Sequence, residues 1–280
     1  MRDRAYAKIN LALEVGSTRL DGYHDLRMVM VPIDFYDQVE IVPSDVDELI
    51  CNKGYIPLNP KNTMYQALTI IRNRYNIEDK FSISLQKQLP VRAGLAGGSA
   101  DAAAVIRLLN RMLKLNMSRK EMIEIALDVG SDVPFCLFNQ ACIVEGKGEI
   151  LTPIEVNLNF ELLLVKPKNG VSTKKAFQLI GDEDKIPLDI LPLARALKES
   201  DYDTFLSSLG NHLEPVATRL VPEIQEVKQE LLELGFDASL MSGSGSTVFG
   251  ITKSADLTNS AFKKLRRKGY FVRRTHVLKG

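Results

Sequence analysis

"PVRAGLAGGSADAAAVIRLLN", residues 90–110, sets three glycines in a short loop and then runs straight into an alanine-rich helical pattern. Glycine costs roughly 0.5–1 kcal/mol relative to alanine inside regular structure, so a cluster of them needs a cause. One cause is the close approach of a partner that leaves no room for side chains. A helix N-terminus offers unpaired N–H groups and the positive end of the macrodipole, and together these favour an anion such as phosphate. The other cause is tight packing of a strand against the helix that follows it. The stretch alone leaves both open. It matches neither of the two common phosphate loops, because no Gly-Lys-Ser/Thr follows it and Gly94, Gly97 and Gly98 are not spaced G-x-G-x-x-G.

Working outward, "FSISLQKQL" alternates at Phe81, Ile83 and Leu85, the period of a strand, and delivers the chain to the loop. The helix after the loop is expected from Ala100 to about Leu115, with Ala100, Ala102, Ala103 and Ala104 allowing a close neighbour. Upstream, Ile9, Leu11, Leu13 and Val15 of "AKINLALEV" fall two apart, as in a half-buried strand, with Lys8 and Asn10 on the other face. Asp21-Gly22 is a turn signal, and "MVMVPIDFYDQVEIV" reads as two strands interrupted at Pro32. "NTMYQALTIIRNRYN" has helical spacing, capped at Asn62 or Thr63. Ser118 and Glu121 form a capping box for a further helix that Gly130 closes. "ACIVEGKGEIL" returns to strand. From about residue 152 the pattern restarts with the strand "FELLLVKP", helical character to residue 220, the helix "PEIQEVKQELLELG", the strands "FDASLM", "STVFGI" and "YFVRRTHVL", and a helix between the last two. Strands grouped with helices that do not strictly alternate indicate an α+β architecture with two layers per domain and a boundary near residue 155.

The chain has 280 residues, 45% hydrophobic and 25% charged, with a formal net charge of +1. That balance gives no electrostatic reason to expect nucleic acid or a membrane as partner, so a small molecule is expected. Cys51, Cys136 and Cys142 are odd in number and contain no C-x-x-C pair, which fits reduced buried thiols rather than a disulfide framework or a zinc knuckle. The first fifteen residues interleave Lys8, Asn10 and Glu14 with apolar positions, unlike a signal peptide, so a cytoplasmic location is expected. "LMSGSGSTVFG" is a second glycine-rich turn, for which a plain hairpin is the simplest reading. Lys8 alone reads as a solvated edge residue and Asp132 in "GSDVPF" as a turn or capping carboxylate. "KKLRRKGYFVRR" reads as a solvated face.

In their order, "AKINLALEV", "DGYH", "PVRAGLAGGSADAAA", "GSDVPF" and "SGSGSTVFG" resemble the GHMP kinase superfamily over nearly the whole chain. The opening strand with "DGYH" soon after it is similar to the branch that phosphorylates a diphosphocytidyl-linked methylerythritol on the non-mevalonate route to isoprenoid precursors. The resemblance implies an N-terminal domain of ribosomal-protein type over residues 1–155 and a ferredoxin-like domain over 156–280. It implies ATP and Mg²⁺, with the phosphates wrapped by Pro90, Val91, Arg92, Ala93, Gly94, Leu95, Ala96, Gly97, Gly98, Ser99 and Ala100, and with Ser99 towards the metal or the phosphates. Lys8 and Asp132 are implied as the catalytic pair, Tyr23 and His24 as holding cytosine, and Asn10 and Thr173 as placing the substrate. Met30 stands where some relatives carry an aromatic ring over the base, and Ser242, Gly243, Ser244 and Gly245 form the shared second turn. The chain departs from the family's G-G-G-S-S loop at Ala96 and Ala100, and Arg92 lies where a small or neutral residue is common. Two other readings stay open: a relative with a homoserine- or mevalonate-like acceptor, for which "DGYH" has no cytosine to explain, and a silent nucleotide binder, against which Lys8 and Asp132 stand.

Overall fold

The alternating stretch "AKINLALEV" lies at the centre of a 17-residue strand, β1 (Arg2–Thr18). Lys8, Asn10 and Ala12 are buried as fully as Ile9, Leu11 and Leu13, so β1 is covered on both faces rather than half-solvated. The structure, a computed structural model, describes residues 1–19, 22 and 24–279, and Asp21 and Tyr23 lie outside the described residues. The chain forms two compact units.

The first unit comprises Met1–Ala7, Phe35–Val91 and Ala96–Asn139. Strand β2 (His24–Ser44) enters it at Phe35, and β3 (Glu48–Cys51), α1 (Thr63–Tyr75) and β4 (Lys80–Gln86) follow. Strand β4 runs antiparallel to β2 from Gln38↔Gln86 to Ser44↔Lys80, and β3 lies parallel to β4 at the edge. Asn62 caps α1 by accepting the Met64 N–H at 2.9 Å. The helix after the glycine loop is α2 (Gly97–Met112). It starts three residues before the expected Ala100, because Gly97 and Gly98 form its first turn. Packed on α2 are α1, α3 (Arg119–Val129) and α4 (Val133–Phe138). The Ser118–Glu121 capping box opens α3, and Gly130 ends it in an extended conformation. The core of this unit is the apolar side of α2, from Ala100 to Leu109, with Met64, Leu68 and Ile71 of α1 and Ile41, Phe81, Ile83 and Leu85 of the sheet.

The second unit comprises Lys8–Asp34, Arg92–Leu95 and Gln140–Gly280. Here β5 (Cys142–Gly146) pairs with the first part of β2 and forms a hairpin with β6 (Ile150–Pro153). The rest of the unit is β7 (Glu161–Lys166), α5 (Thr173–Leu179), α6 (Ile190–Glu199), α7 (Tyr202–Ser207), β8 (Gly210–Asn211), α8 (Glu214–Leu220), α9 (Glu223–Glu233), β9 (Ala238–Met241), β10 (Val248–Thr252), α10 (Ala255–Arg267) and β11 (Phe271–Thr275). Four of these strands make an antiparallel sheet in the order β11-β7-β10-β9, against which α9 and α10 pack. The two residues of β8 add to β1 in parallel, Ala12 opposite Gly210 and Leu13 opposite Asn211.

Strand β2 is continuous through Pro32, contrary to the interruption its sequence suggests. On that edge the chain end pairs with it: Leu278 donates to the Pro32 carbonyl at 2.9 Å and Asp34 donates to the His276 carbonyl at 2.9 Å. This bridge uses the carbonyl of Pro32 and not its nitrogen, so the missing N–H breaks no ladder bond there. All three cysteines are free thiols, but only Cys136 and Cys142 are buried; Cys51, at an edge strand, is half-exposed.

Ala96, the residue preceding α2, has φ 56° and ψ 29°. A side chain in this left-handed region costs roughly 1–2 kcal/mol, partly offset by the extra unfolded-state freedom of glycine. Ala96→Gly is therefore expected to raise the melting temperature by about 1–4 °C, read by thermal unfolding. A lower melting temperature would show that the alanine methyl contributes packing worth more than the strain.

Candidate active site

The glycines of the loop stand there for different reasons. Gly94 has φ +73°, and a Cβ on it would collide with the Ser242 carbonyl oxygen, so two backbones meet where a side chain cannot fit. A Cβ on Gly97 would lie 3.2 Å from Lys87 Nζ and 3.4 Å from Leu89 Cβ, which is close packing of α2 on the segment after β4. Gly98 is exposed, and its nearest neighbour would be Thr63 Oγ1 at 3.5 Å, an ordinary contact. So the packing account holds for Gly94 and Gly97, while the face at Gly98 is open. No side chain caps α2 and no acidic residue lies in its first turn, which suits an anion at its N–H groups. Pro90 and Ser99 are half-buried, Val91 and Arg92 exposed, and Ala93, Leu95 and Ala100 buried.

Residues 92–95 are stitched into the second unit by backbone bonds. Lys8 donates its N–H to the Leu95 carbonyl at 3.3 Å, and Thr247 donates to the Ala93 carbonyl at 3.2 Å. The second glycine-rich turn is a hairpin, as its simplest reading had it, joining β9 to β10 with Met241 opposite Val248. It also has further attachments. Ser242 Oγ donates to the Gly94 carbonyl at 3.0 Å, and the Ser244 and Thr173 hydroxyls share a 2.7 Å hydrogen bond. Asn211 donates to the carbonyls of Met241 and Gly243, each at 2.8 Å, and accepts the Leu213 N–H at 2.9 Å. Gly243 has φ +55°, and a Cβ there would sit 3.2 Å from Lys8 Nζ and 3.3 Å from Asn10 Oδ1.

Lys8 is 3% exposed and Asn10 fully buried, so the solvated-edge reading of Lys8 is wrong: β1 is an interior strand. The Lys8 ammonium donates to Asn10 Oδ1 at 2.7 Å, which fixes the Asn10 amide so that its nitrogen points to Met28 Sδ at 3.3 Å. Asp132 precedes α4 with φ −84° and ψ −12°, and its side chain makes no capping hydrogen bond to that helix, so the capping role is not the one it fills. Its carbonyl accepts the Cys136 N–H at 3.3 Å.

His24 begins β2, and its ring stacks on Phe177 of α5 with centroids 5.7 Å apart and planes 25° from parallel. His24 Nδ1 is buried and has no hydrogen-bond partner among the described residues. Phe177 was not singled out from the sequence, where it is one aromatic ring in a seven-residue helix. Thr173 opens that same helix, whereas Met30 is fully buried in β2 opposite Cys142.

Beneath Gly97 lies an ion cluster that the strand's own parity could have revealed. Positions 81, 83 and 85 face inward, and 87 follows them. Lys87 Nζ donates to Asp37 Oδ2 and to Asp101 Oδ2, each at 2.6 Å, with all three side chains buried. Asp37 also accepts the N–H groups of Gln88 and Leu89 at 2.5 and 2.8 Å. Asp101 Oδ1 has no partner. Burial, and then the neighbouring Asp37 carboxylate, push the Asp101 carboxyl up to about 8 despite the pull of Lys87.

Two family models match the chain, GHMP kinases N terminal domain over residues 62–140 and GHMP kinases C terminal over residues 193–270. A 4-diphosphocytidyl-2-C-methyl-D-erythritol kinase of Geobacillus thermodenitrificans is 38% identical over 94% of this chain and 92% of its own. A crystal structure of 4-(cytidine 5'-diphospho)-2C-methyl-D-erythritol kinase superposes with TM-score 0.84 at 30% identity, covering 100% of both chains. A homoserine kinase from Cytophaga hutchinsonii shares the fold with TM-score 0.75 at 20% identity, over 98% of this chain and 95% of that one.

The cluster makes stability pH-dependent. Asp101 binds its proton more tightly folded than unfolded, so the folded chain holds the extra proton between the ordinary carboxylate range near ~4 and about 8. Stability then falls as pH rises through that window. Asp101→Asn removes this loss. Its melting temperature relative to wild type is expected to be clearly higher at ~pH 8.5 than at ~pH 5, and a pH-independent difference would exclude the carboxyl as the cause.

Proposed function

The chain belongs to the GHMP kinases and, within them, to the 4-diphosphocytidyl-2-C-methyl-D-erythritol kinase family, and from that membership we propose that it transfers the γ-phosphoryl group of ATP to the 2-hydroxyl of this diphosphocytidyl alcohol. We place the domain boundary near residue 155, between β6 and β7; the matched segments 62–140 and 193–270 lie on either side of it. Both substrates are small molecules of the cell interior, so the reaction belongs in the cytoplasm. Among the described residues no helix is long and apolar enough to cross a membrane.

The observation that carries the mechanism is a lysine ammonium buried on an interior strand beside a glycine hairpin. Burying a charge is expensive, and a site that keeps one gains electrostatic strength from the same low dielectric. Lys8 stabilises the acceptor oxygen as it loses its proton, and Asp132 takes that proton. Phosphoryl transfer asks the protein chiefly for such positioning and charge. The N–H groups of Gly97, Gly98 and Ser99 hold the nucleotide phosphates at the uncapped start of α2. Mg²⁺ supplies neutralisation of phosphate charge when bound. Among the described residues no three carboxylate, histidine or cysteine side chains gather into a metal site. Ser99 lies in the first turn of α2, where its hydroxyl would hold Mg²⁺ as a loop serine or threonine does in other phosphoryl-transfer sites.

The diphosphocytidyl end goes to His24. A buried ring nitrogen without a partner, beside an aromatic face, suits a base edge and a base plane together. Phe177 offers a stacking face beside His24; Tyr23 and Met30 are proposed to contact the base, and Asn10 and Thr173 to place the acceptor. Turnover of ATP by the purified protein is expected with the diphosphocytidyl alcohol and not with homoserine or mevalonate. Turnover with either of those alone would replace the acceptor. Asp132→Asn is expected to lower kcat by about 10²–10⁴ while binding of both substrates stays within a few-fold. Gly98→Ala, which meets no tight contact within the protein, is expected to raise the KM for ATP about tenfold with the melting temperature nearly unchanged. An unchanged KM there would remove the phosphates from that face.

A further inference from the structure

Asp132 stands before a helix of six residues, and a helix that short has little stability of its own. Its placement therefore depends on what holds its ends. The C-terminal end is held by Arg107 of α2. Arg107 Nη1 donates to the Cys136 carbonyl at 2.6 Å and more weakly to the Leu137 carbonyl at 3.3 Å. The same guanidinium is fixed from the other side, Nε donating to Asp3 Oδ2 at 2.9 Å and Nη2 to the Arg4 carbonyl at 3.1 Å. Its side chain is only 15% exposed, so these bonds are largely shielded from water. A cation at the end of a helix also complements the helix dipole.

One residue links this fork to the base. The Cys136 carbonyl accepts from Arg107, and the Cys136 N–H donates to the Asp132 carbonyl at 3.3 Å. We propose that Arg107 is a positioning residue for Asp132, tying the C-terminal end of α4 to α2 and to Asp3 and Arg4 so that the carboxylate meets the acceptor hydroxyl. The inference rests on the reading of Asp132 as the base. Lysine cannot replace the fork, because an ammonium is a single point of donation where the guanidinium presents planar donors to several acceptors at once.

The test is a double-mutant cycle on the full-length protein. Arg107→Lys is expected to lower kcat about 10- to 100-fold, the scale of a misplacement of order 1 Å, with both KM values within threefold of wild type. In an Asp132→Asn background the same substitution is expected to change kcat less than twofold, because there is no base left to place. A folded Arg107→Lys protein with wild-type kcat, or one losing the same factor in both backgrounds, overturns the inference and leaves the base assignment standing. Full activity of Asp132→Asn overturns both. Should Arg107→Lys not fold, Asp3→Asn carries the test by removing the carboxylate that orients the guanidinium. A kcat lowered at least threefold at constant KM is expected, and an unchanged kcat overturns the inference.

Discussion

Lys87 holds a positive charge where almost no water reaches, and three parts of the first unit are arranged to make that tolerable. Asp37 comes from β2, Lys87 from the segment after β4, and Asp101 from the second turn of α2. Removing a cation from water costs several kcal/mol, recovered only with close and well-aligned partners, so the three elements cannot slide past one another without leaving a charge unpaired. The two N–H groups that Asp37 accepts from Gln88 and Leu89 extend the constraint to the turn that leads into the glycine loop. Leu89 and Lys87 then form the floor on which Gly97 rests. The start of α2 is thus fixed from beneath by an ion cluster, and its outward face at Gly98 is left open.

In the second unit the corresponding constraint is carried by backbone rather than charge. The Gly94 loop and the 242–247 hairpin approach so closely that neither Gly94 nor Gly243 has room for a side chain. Asn211 donates two hydrogen bonds from its amide nitrogen to the hairpin carbonyls of Met241 and Gly243, and the Leu213 N–H on its oxygen orients the amide. Lys8 and Asn10 lie against the same hairpin, so its glycines serve Lys8 as much as any ligand.

How much of this was legible in the sequence follows from how local each signal is. The alternation in β1, the Asn62 cap and the Ser118–Glu121 box depend on neighbours a few residues apart, and each appears where the pattern put it. Pro32 misled because a proline nitrogen is harmless when the pairing strand needs only its carbonyl, and the partner that makes it harmless lies more than 240 residues away. The pattern puts the start of α2 late because glycine is a poor helix former, although at a first turn its missing side chain lets the helix pack closely on Lys87. An isolated lysine such as Lys87 reads as exposed, and its parity with Phe81, Ile83 and Leu85 is the one local sign of burial. Phe177 and Arg107 had none, being single residues on helices whose partners come from distant chain.

The loop also shows why a glycine cluster is a poor phosphate detector by itself. Of its three glycines, Gly94 is required by the protein's own backbone, Gly97 is tightly packed on Lys87 and Leu89, and Gly98 alone lacks an internal reason. Ala96 occupies a left-handed conformation that glycine would adopt more easily. Ala93 and Leu95 lend their carbonyls to Thr247 and Lys8, and α2 is anchored through Asp101. Residues 92–95 are thus held within the second unit and the start of α2 within the first, each by its own bonds. Packing and the proposed phosphate binding are therefore not rival explanations of "PVRAGLAGGSADAAA": close contacts account for Gly94 and Gly97, and the exposed Gly98 is the one the proposed phosphate contact would explain.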